Sequence, residues 1–227
     1  MGRPKKTLFW SFQGFRLTTL LTNVENRQMR SAARTQPETR DRILREAERV
    51  FRAYGYAKTT VADIAKACGM SPANVYRFFE SKATINEALT EVMLKRQEDM
   101  ALGIAAEKRP AAQRLRKLIV EMHRFTCEQY LNETRVHEIV LKAMDEQWGV
   151  IDAHIERMRL LYRAVIDDGV RAGEFSGKGV EARGTCVFNA VMPFCHPQLV
   201  AEKFAEDQGE QARLMADFLL EALRGRK

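Results

Sequence analysis

Apolar residues recur every three or four positions along most of the chain, which is the spacing of amphipathic helices packed on a core. Strict alternation of apolar and polar residues, the pattern of half-buried strands, does not recur in the sequence. Gly, Pro and capping residues divide the helical pattern into about nine helices, and Pro197 is interpreted as the terminator of the eighth. The fourth to ninth are predicted around residues 85–100, 115–125, 136–144, 151–165, 180–194 and 207–224. The sequence therefore predicts an all-α protein.

Three helices, with a tight turn between the last two, are predicted near the start. The first begins at Thr35, which has a glutamate three residues later, the spacing of a capping box. The second begins at Thr60. The third begins at Ser71, with Pro72 in the first helical position. Two short helices around a Gly-containing turn indicate a helix-turn-helix, predicted here over residues 60–79, whose second helix enters the DNA major groove.

The third predicted helix carries polar side chains suited to DNA. Asn74 and Arg77 have the donors and acceptors that pair with adenine and guanine edges, so we expect them to read bases. Tyr76 and Lys82 lie toward the margins of this helix and are expected to contact phosphates, which fix register rather than sequence. The two phenylalanines after Arg77 are interpreted as core residues.

The charge distribution favours a polyanionic partner for the first third of the chain. Residues 1–83 contain 16 Lys and Arg against 7 Asp and Glu, whereas residues 84–227 contain 21 against 23. A positive field concentrated at one end is typical of nucleic-acid binding, although a basic tail that aids solubility has the same composition.

Residues 1–34 form a separate basic extension, with seven Lys and Arg and one acidic residue, and are expected to be disordered. Two interpretations of their start stay open. Residues 2–6 have the composition of an arm that follows the minor groove. Alternatively, the protein begins at Met29, and deletion of the upstream residues would leave folding and DNA affinity unchanged.

The first predicted domain resembles the TetR family of bacterial transcriptional regulators. The residues that carry the resemblance are Thr39-Arg40, Ile43-Leu44, Ala47, Phe51, Gly55-Tyr56, Thr59-Thr60, Ile64-Ala65, Gly69-Met70-Ser71, Val75-Tyr76-Arg77-Phe78-Phe79 and Ser81-Lys82. Ala83 and Thr84 depart from the acidic and larger apolar residues usual in the family. The resemblance implies that the second and third helices contact DNA. The candidate DNA-binding residues are Thr60, Ser71, Pro72, Ala73, Asn74, Tyr76, Arg77 and Lys82.

The resemblance implies the domain organisation as well. A helix-turn-helix domain is expected over residues 35–83, followed by a helical effector-binding and dimerisation domain over residues 84–227. In the family the fourth to seventh helices enclose a small-molecule pocket. Residues that could line an adaptable apolar cavity with polar groups are Met93, Met122, Phe125, His137, Met144, His154, Met158 and Tyr162.

The family also pairs its last two helices across a two-fold axis, which implies a homodimer. The last two helices here carry more apolar surface than one core face requires, and a dimer would bury it. The candidate interface residues are Val187, Val191, Met215, Phe218, Leu219 and Ala222. The function implied is a repressor that binds a palindromic operator in double-stranded DNA and is released by an unknown small-molecule effector.

Other classes of protein fit the sequence less well. No cluster of nucleophile, base and oxyanion donor indicates an enzyme, and no cofactor or metal site is expected. Charged residues interrupt every candidate membrane span, so we expect no membrane partner and a location in the bacterial cytoplasm, on the nucleoid when DNA is bound. A helical interaction module is the main alternative. Its affinity for a partner would not depend on salt, whereas DNA affinity would fall steeply as salt rises.

Overall fold

The computed structural model describes residues 17–131, 149–202 and 208–225 of the 227-residue chain. It divides into two units, residues 1–42 and residues 43–227. All regular structure in the described ranges is helical, so the all-α prediction is confirmed. The helices are α1 (Leu17–Tyr54), α2 (Val61–Ala67), α3 (Pro72–Tyr76), α4 (Lys82–Ala105), α5 (Ala111–Thr126), α6 (Gly149–Arg171), α7 (Val180–Cys195), α8 (Pro197–Glu202) and α9 (Gln208–Arg224), with a π-helical turn (Cys127–Leu131) after α5.

The start of α1 differs from the sequence prediction. The helix begins at Leu17, so the predicted start at Thr35 is wrong, whereas the disorder of residues 1–34 stays a prediction. Leu, Arg and Ala, which have high helix propensity, account for eight of residues 17–34 and favour a helix even without an apolar stripe. Pro37 lies inside α1, where its ring removes one backbone donor. Residues 1–16 are outside the described ranges.

Two hydrophobic cores organise residues 43–227. The amino-terminal core joins α1, α2, α3 and the first half of α4 and contains Ile43, Leu44, Ala47, Phe51, Val61, Ile64, Ala65, Cys68, Val75, Phe79, Ile85, Ala88, Leu89 and Met93. The carboxy-terminal core joins the end of α4 to α5, α6, α7 and α9, and its largest buried side chains include Leu115, Leu118, Ile119, Tyr162, Ile166 and Leu223. Since α4 contributes to both cores, it connects the helix-turn-helix to the helical body.

The start of α4 follows a capping box that the sequence left open. The hydroxyl of Ser81 accepts a hydrogen bond from the backbone N of Thr84 at 3.1 Å, and the hydroxyl of Thr84 accepts one from the backbone N of Ser81 at 3.0 Å. A threonine hydroxyl thus performs the role that a glutamate usually has in this motif. The departure from the family pattern at Thr84 therefore preserves the start of the helix.

The cap of α5 comes from a distant residue. Pro110 precedes this helix and offers no side-chain cap. Instead, the carboxylate of Glu174, just after α6, accepts hydrogen bonds from the backbone N of Ala111 at 2.8 Å and of Ala112 at 3.0 Å. A carboxylate on the first amides of a helix also interacts favourably with its dipole. This contact fixes the end of α6 against the start of α5.

Other predicted helices agree with the structure where it describes them. The fourth, fifth, seventh, eighth and ninth predicted helices correspond to α4, α5, α6, α7 and α9. The sixth, from Val136 to Met144, lies outside the described residues. The short helix α8 was not predicted; Pro197, interpreted as a terminator, both follows the end of α7 and starts α8. Within the described ranges, no helix combines the length and apolarity that a membrane crossing requires.

Candidate nucleic-acid interface

The turn between α2 and α3 is built from the residues predicted for it. Ile64 and Ala65 of α2 and Val75 of α3 are fully buried in the amino-terminal core. Gly69 has φ +62°, a left-handed conformation that favours glycine, and it reverses the chain after α2. Met70 packs on the same core as Val75, as expected for a hydrophobic staple. The two helices are therefore held at a fixed angle by shared apolar contacts.

The start of α2 is fixed by a reciprocal cap. The hydroxyl of Thr60 accepts a hydrogen bond from the backbone N of Asp63 at 3.2 Å, and the carboxylate of Asp63 accepts one from the backbone N of Thr60 at 2.9 Å. The hydrogen bonds from the Thr60 side chain and backbone hold the pKa of Asp63 below its ordinary value. Thr60 is exposed, so the capped end of α2 lies at the surface.

The start of α3 is exposed and rigid. The hydroxyl of Ser71 accepts a hydrogen bond from the backbone N of Asn74 at 3.3 Å, and Pro72 occupies the first helical position. Ser71, Pro72 and Ala73 are all exposed. With only small side chains on this edge, the backbone of the first turn can approach a partner closely. A capped helix N-terminus also presents free amides to anions.

The polar residues predicted to contact DNA differ in exposure. Tyr76 is 52% exposed, and Arg77 is exposed at the C-cap of α3. Asn74 is half-buried, with its amide N 3.8 Å from the sulfur of Met70. The predicted helix continues to residue 79, whereas α3 ends at Tyr76, because the chain turns so that Phe79 enters the core. Tyr76 and Arg77 are therefore the residues most available to a large partner.

Lys82 is placed differently from the prediction that it contacts a phosphate. Its Nζ donates to the backbone carbonyls of Tyr56 at 2.8 Å and Thr59 at 2.9 Å, and lies 3.5 Å from the carbonyl of Ala57. Nζ also lies 4.3 Å from the centre of the Tyr56 ring. Burial lowers the pKa of Lys82 from its ordinary value. The ammonium is therefore bound to carbonyl oxygens of its own chain.

A basic groove beside α2 was missed in the sequence analysis. It has a volume of about 630 Å³ and lies between the end of α1 and α2. Three of its lining residues are cations, Arg49, Lys58 and Lys66, and one is an acid, Asp63. The excess of Lys and Arg in residues 1–83 indicated such a surface, but helical spacing alone could not place residues of the α1–α2 loop beside α2.

The candidate effector residues divide between the two cores. Met122, Met158 and Tyr162 are buried together in the carboxy-terminal core, whereas Met93 is buried in the amino-terminal core. Phe125 packs against the amino-terminal core as well. Of the remaining candidates, His154 is bound to the carboxylate of Glu98, and His137 and Met144 lie outside the described residues. The described apolar members of the set therefore lie in two hydrophobic clusters, and their role in a ligand pocket stays a prediction.

Three buried polar side chains on α4 and α6 make no hydrogen bond of normal geometry to described residues. Asn86 and Thr90 lie one turn apart on α4, and both amide atoms of Asn86 and the hydroxyl of Thr90 are unsatisfied. The third, the hydroxyl of Tyr162, interacts electrostatically with the thiol of Cys195. Burial raises the pKa of Tyr162 well above its ordinary value and that of Cys195 to about 12.

The candidate dimer residues are only partly at the surface. Val187, Val191 and Leu219 are between 1% and 6% exposed within the single chain, so little of their surface is available to a second copy. They complete the carboxy-terminal core, because α7 and α9 pack on α5 with these positions. Phe218 is 65% exposed, as is Leu214 at 61%, one turn earlier. Of the other candidates, Ala222 is exposed and Met215 half-buried.

Among the described residues, no group of three or more His, Cys, Asp or Glu side chains is arranged to hold a metal ion. His123 and Cys127 do lie one turn apart, with 3.6 Å between Nε2 and Sγ. The other ring nitrogen of His123 lies 3.0 Å from the backbone carbonyl of Phe194. The imidazole is therefore engaged in packing α5 on the end of α7.

Two curated relatives match a limited part of the chain. The HTH-type transcriptional regulator TtgR of Pseudomonas putida is 36% identical over 70 residues, which are 31% of this chain and 33% of that protein. The HTH-type transcriptional regulator TcmR of Streptomyces glaucescens is 41% identical over 75 residues, 33% of this chain and 31% of that protein. The alignments thus span about a third of the length of these relatives.

A solved structure with the same fold covers far more. The crystal structure of a TetR-family transcriptional regulator from Pectobacterium atrosepticum superposes with a TM-score of 0.65, at 19% identity, over 84% of this chain and 96% of that chain. At this identity the likeness shows the fold alone. It is the fold that the exposed α3 and the two cores already describe.

Two family models match consecutive parts of the sequence. Residues 43–89 match the model described as bacterial regulatory proteins, tetR family, and residues 111–214 match the model described as tetracyclin repressor-like, C-terminal domain. Together these segments span more than half of the 227 residues. The first coincides with the amino-terminal core and the second with most of the carboxy-terminal core. This chain belongs to the TetR family of bacterial regulatory proteins.

Proposed function

We propose that this protein is a sequence-specific transcriptional repressor that binds a palindromic DNA operator as a homodimer and leaves it when a small molecule binds the helical domain. It acts without catalysis, in the bacterial cytoplasm and on the nucleoid when DNA is bound. The proposed DNA-binding domain is residues 35–83, and the proposed effector-binding and dimerisation domain is residues 84–227.

The observation that carries the proposal is the exposed surface of α3. Its first turn presents only small side chains, and Tyr76 and Arg77 project from its end, while Val75 fixes the opposite face in the core. A rigid helix with one exposed face fits the width of the major groove. We assign Arg77 to base readout and Tyr76 to a phosphate; Asn74 reads a base once its amide leaves Met70.

Electrostatics support the same surface. The excess of Lys and Arg lies in residues 1–83, and the groove beside α2 adds three cations close to the capped end of that helix. Each cation that neutralises a phosphate releases a counterion, which makes binding sensitive to salt. A partner that is not a polyanion would gain little from this arrangement.

Homodimerisation is supported by the apolar side chains on α9. Leu214 and Phe218 lie one turn apart and are more than half exposed, a costly arrangement for a lone helix in water. A two-fold axis near α9 would bury both, and binding to successive turns of DNA requires the two copies of α3 to lie about 34–36 Å apart. The operator expected from such symmetry is palindromic.

Effector release is supported by the likeness of residues 111–214 to the C-terminal domain of a tetracyclin repressor. We assign the apolar side chains of Met122 and Met158 and the buried hydroxyl of Tyr162 to the ligand site. An effector lowers DNA affinity only through its preference for the non-binding form, a coupling of about 1–3 kcal/mol. The shared helix α4 provides a physical connection between the two sites.

The test is to select DNA sequences from a random pool with the purified protein and then measure affinity by fluorescence anisotropy. Selected DNA should bind more tightly than scrambled DNA by about 10³ or more, and affinity should fall steeply as salt rises. Recovery of no preferred sequence, or of binding that ignores salt, contradicts the proposal and favours a helical interaction module.

A variant tests the role of α3 directly. Arg77→Ala should weaken binding to the selected sequence by about 1–3 kcal/mol and relax the preference at one base pair. Arg171→Ala, at the exposed end of α6, removes the same charge outside the proposed DNA-binding and dimer surfaces and serves as the control. Equal effects of the two substitutions would show that Arg77 contributes only general charge.

A further inference from the structure

The ammonium of Lys82 lies among carbonyl oxygens of the α1–α2 loop, residues 55–60. We propose that Lys82 is a positioning residue for DNA binding: it fastens this loop, and with it the first turn of α2, to the first turn of α4, instead of neutralising a DNA phosphate. The proposal rests on the proposed function, since positioning is measured here through DNA affinity.

The donors of Lys82 are already used within the chain. An ammonium has three N–H groups, and three carbonyls of the loop lie 2.8, 2.9 and 3.5 Å from Nζ, the first two at normal hydrogen-bond length. The ring of Tyr56 lies beneath the ammonium at 4.3 Å, a cation–π distance. A phosphate would have to displace these contacts.

Lys82 adds a charged donor to a loop that is also held by a backbone hydrogen bond from the N of Thr59 to the carbonyl of Tyr56 at 3.3 Å. Gly55 reverses the chain with φ +87°, and the hydroxyl of Thr59 donates to the carbonyl of Gly55 at 2.8 Å. Beyond these contacts, the carbonyls of Tyr56 and Thr59 point inward to the same Nζ. Without the ammonium, these two half-buried acceptors would lose a charged donor, which is a large loss for a six-residue loop.

The position of Lys82 connects the first turns of α4 and α2. It is the first residue of α4, directly after the cap Ser81, and one turn before Asn86. Thr60, the cap of α2, follows the fastened loop immediately. A movement of the first turn of α4 is thereby passed to the first turn of α2 through hydrogen bonds rather than only through packing. Lys82 thus lies between the ligand-binding body and the DNA-binding helices.

Salt dependence separates positioning from phosphate contact. We compare Lys82→Met with Lys108→Met, an exposed lysine after α4 that serves as a charge control, and measure affinity for the selected DNA at four salt concentrations. Lys82→Met should lower affinity about ten-fold or more while the slope of log K against log salt stays that of the wild type. A slope reduced by about 0.9 would show a lost phosphate contact and overturn the proposal.

A second variant leaves every charge in place. Tyr56→Leu removes the ring beneath the ammonium and should lower affinity in the same direction, again with an unchanged slope. Full wild-type affinity in Tyr56→Leu together with a reduced slope in Lys82→Met would contradict positioning. Helical circular dichroism of each variant excludes general unfolding as the cause of a lost affinity.

A measurement without DNA keeps this proposal separate from the proposed function. Amide hydrogen exchange at residues 57–62 should be about ten-fold faster in Lys82→Met than in the wild type, and unchanged in Lys108→Met. Wild-type protein that binds no DNA would defeat the proposed function, whereas the exchange rates would still report on the loop. Equal exchange in Lys82→Met and the wild type shows that the lysine does not hold the loop, which overturns the inference.

Discussion

Nδ1 of His154 on α6 lies 2.8 Å from a carboxylate oxygen of Glu98 on α4, and both side chains are nearly buried. The same oxygen accepts a hydrogen bond from Nε of Arg157 at 2.9 Å. One carboxylate therefore joins α4 to α6 through two donors. Removal of one donor would leave the buried charge of Glu98 poorly compensated. The resulting loss of stability exceeds the net contribution of the intact ion pair.

Acid should lower the stability of the folded protein in two stages because of the pair formed by His154 and Glu98. Burial lowers the pKa of His154, and the contact with Glu98 offsets part of this shift. Below about pH 6.5 the histidine is therefore protonated in the unfolded chain but still neutral in the folded chain, so the free energy of unfolding falls. Burial alone would raise the pKa of Glu98, but the hydrogen bonds from Arg157 and His154 outweigh it and hold that pKa low. Its contribution to stability is lost below about pH 4.3, as pH falls through the folded value.

Urea unfolding at fixed protein concentration measures the first stage. The free energy of unfolding of the wild type should fall between about pH 7 and 5, and that of His154→Gln should fall less. Burial also lowers the pKa of His196, so His196→Gln identifies the part that is not due to His154. An identical fall in His154→Gln and the wild type would mean that His154 titrates as an ordinary exposed histidine.

Asn86→Leu should stabilise the protein. The amide is fully buried, and neither of its atoms has a hydrogen-bond partner among the described residues, so an apolar side chain of similar size removes a desolvation cost of about 1–3 kcal/mol. Thermal unfolding measures the change, and Asn189→Leu, at an exposed position of α7, is the matched control. A destabilised Asn86→Leu would reveal that the amide is bonded in solution.

Gly169→Ala should destabilise the protein although it lies in a helix. A Cβ at this position would overlap the ring of Phe175 and lie 3.0 Å from Cβ of Ala111. Overpacking of this kind costs about 1–3 kcal/mol, which exceeds the helix propensity gained. At Gly103 in α4 nothing lies within 4 Å of the added atom, so Gly103→Ala should be neutral or stabilising. Equal midpoints of urea unfolding for the two variants would contradict this packing.

Phe218→Glu should convert the proposed dimer to a monomer without unfolding it. The side chain is 65% exposed in the single chain, so a charge there disturbs only a surface that another copy covers. Sedimentation velocity gives the assembly state, and circular dichroism gives the helix content. Leu102→Glu, at a 52% exposed position of α4, is the control and should remain dimeric. A Phe218→Glu dimer would place the interface elsewhere.

Short local patterns predicted two helix starts correctly, whereas a third pattern, the capping-box spacing at Thr35, did not mark a start. Thr60 and Ser71 were predicted as caps, and their hydroxyls accept the expected backbone hydrogen bonds. The upstream extension of α1 was not predicted, because a segment with helix propensity but no apolar stripe has the same hydrophobic pattern as a disordered segment. The exposure of Tyr76 and Arg77 agrees with the helix-turn-helix motif, whose second helix was expected to contact DNA.

Contacts between distant residues could not be predicted in the same way. Lys82 and Tyr56 are 26 positions apart, and only the fold brings the ammonium to that carbonyl. Similarly, Val187 and Phe218 are both apolar residues on helical stripes, yet one is 2% and the other 65% exposed. Helical spacing identifies an apolar face, but the number of neighbouring helices decides which part of that face remains at the surface.

The shared helix α4 has a geometric consequence. Its 24 residues make a rod about 36 Å long that lies in one core at its start and in the other at its end. A tilt of about 5° around one end displaces the opposite end by about 3 Å, which is as long as a hydrogen bond. Angular changes too small to repack a buried leucine at one end become ångström-scale displacements at the other.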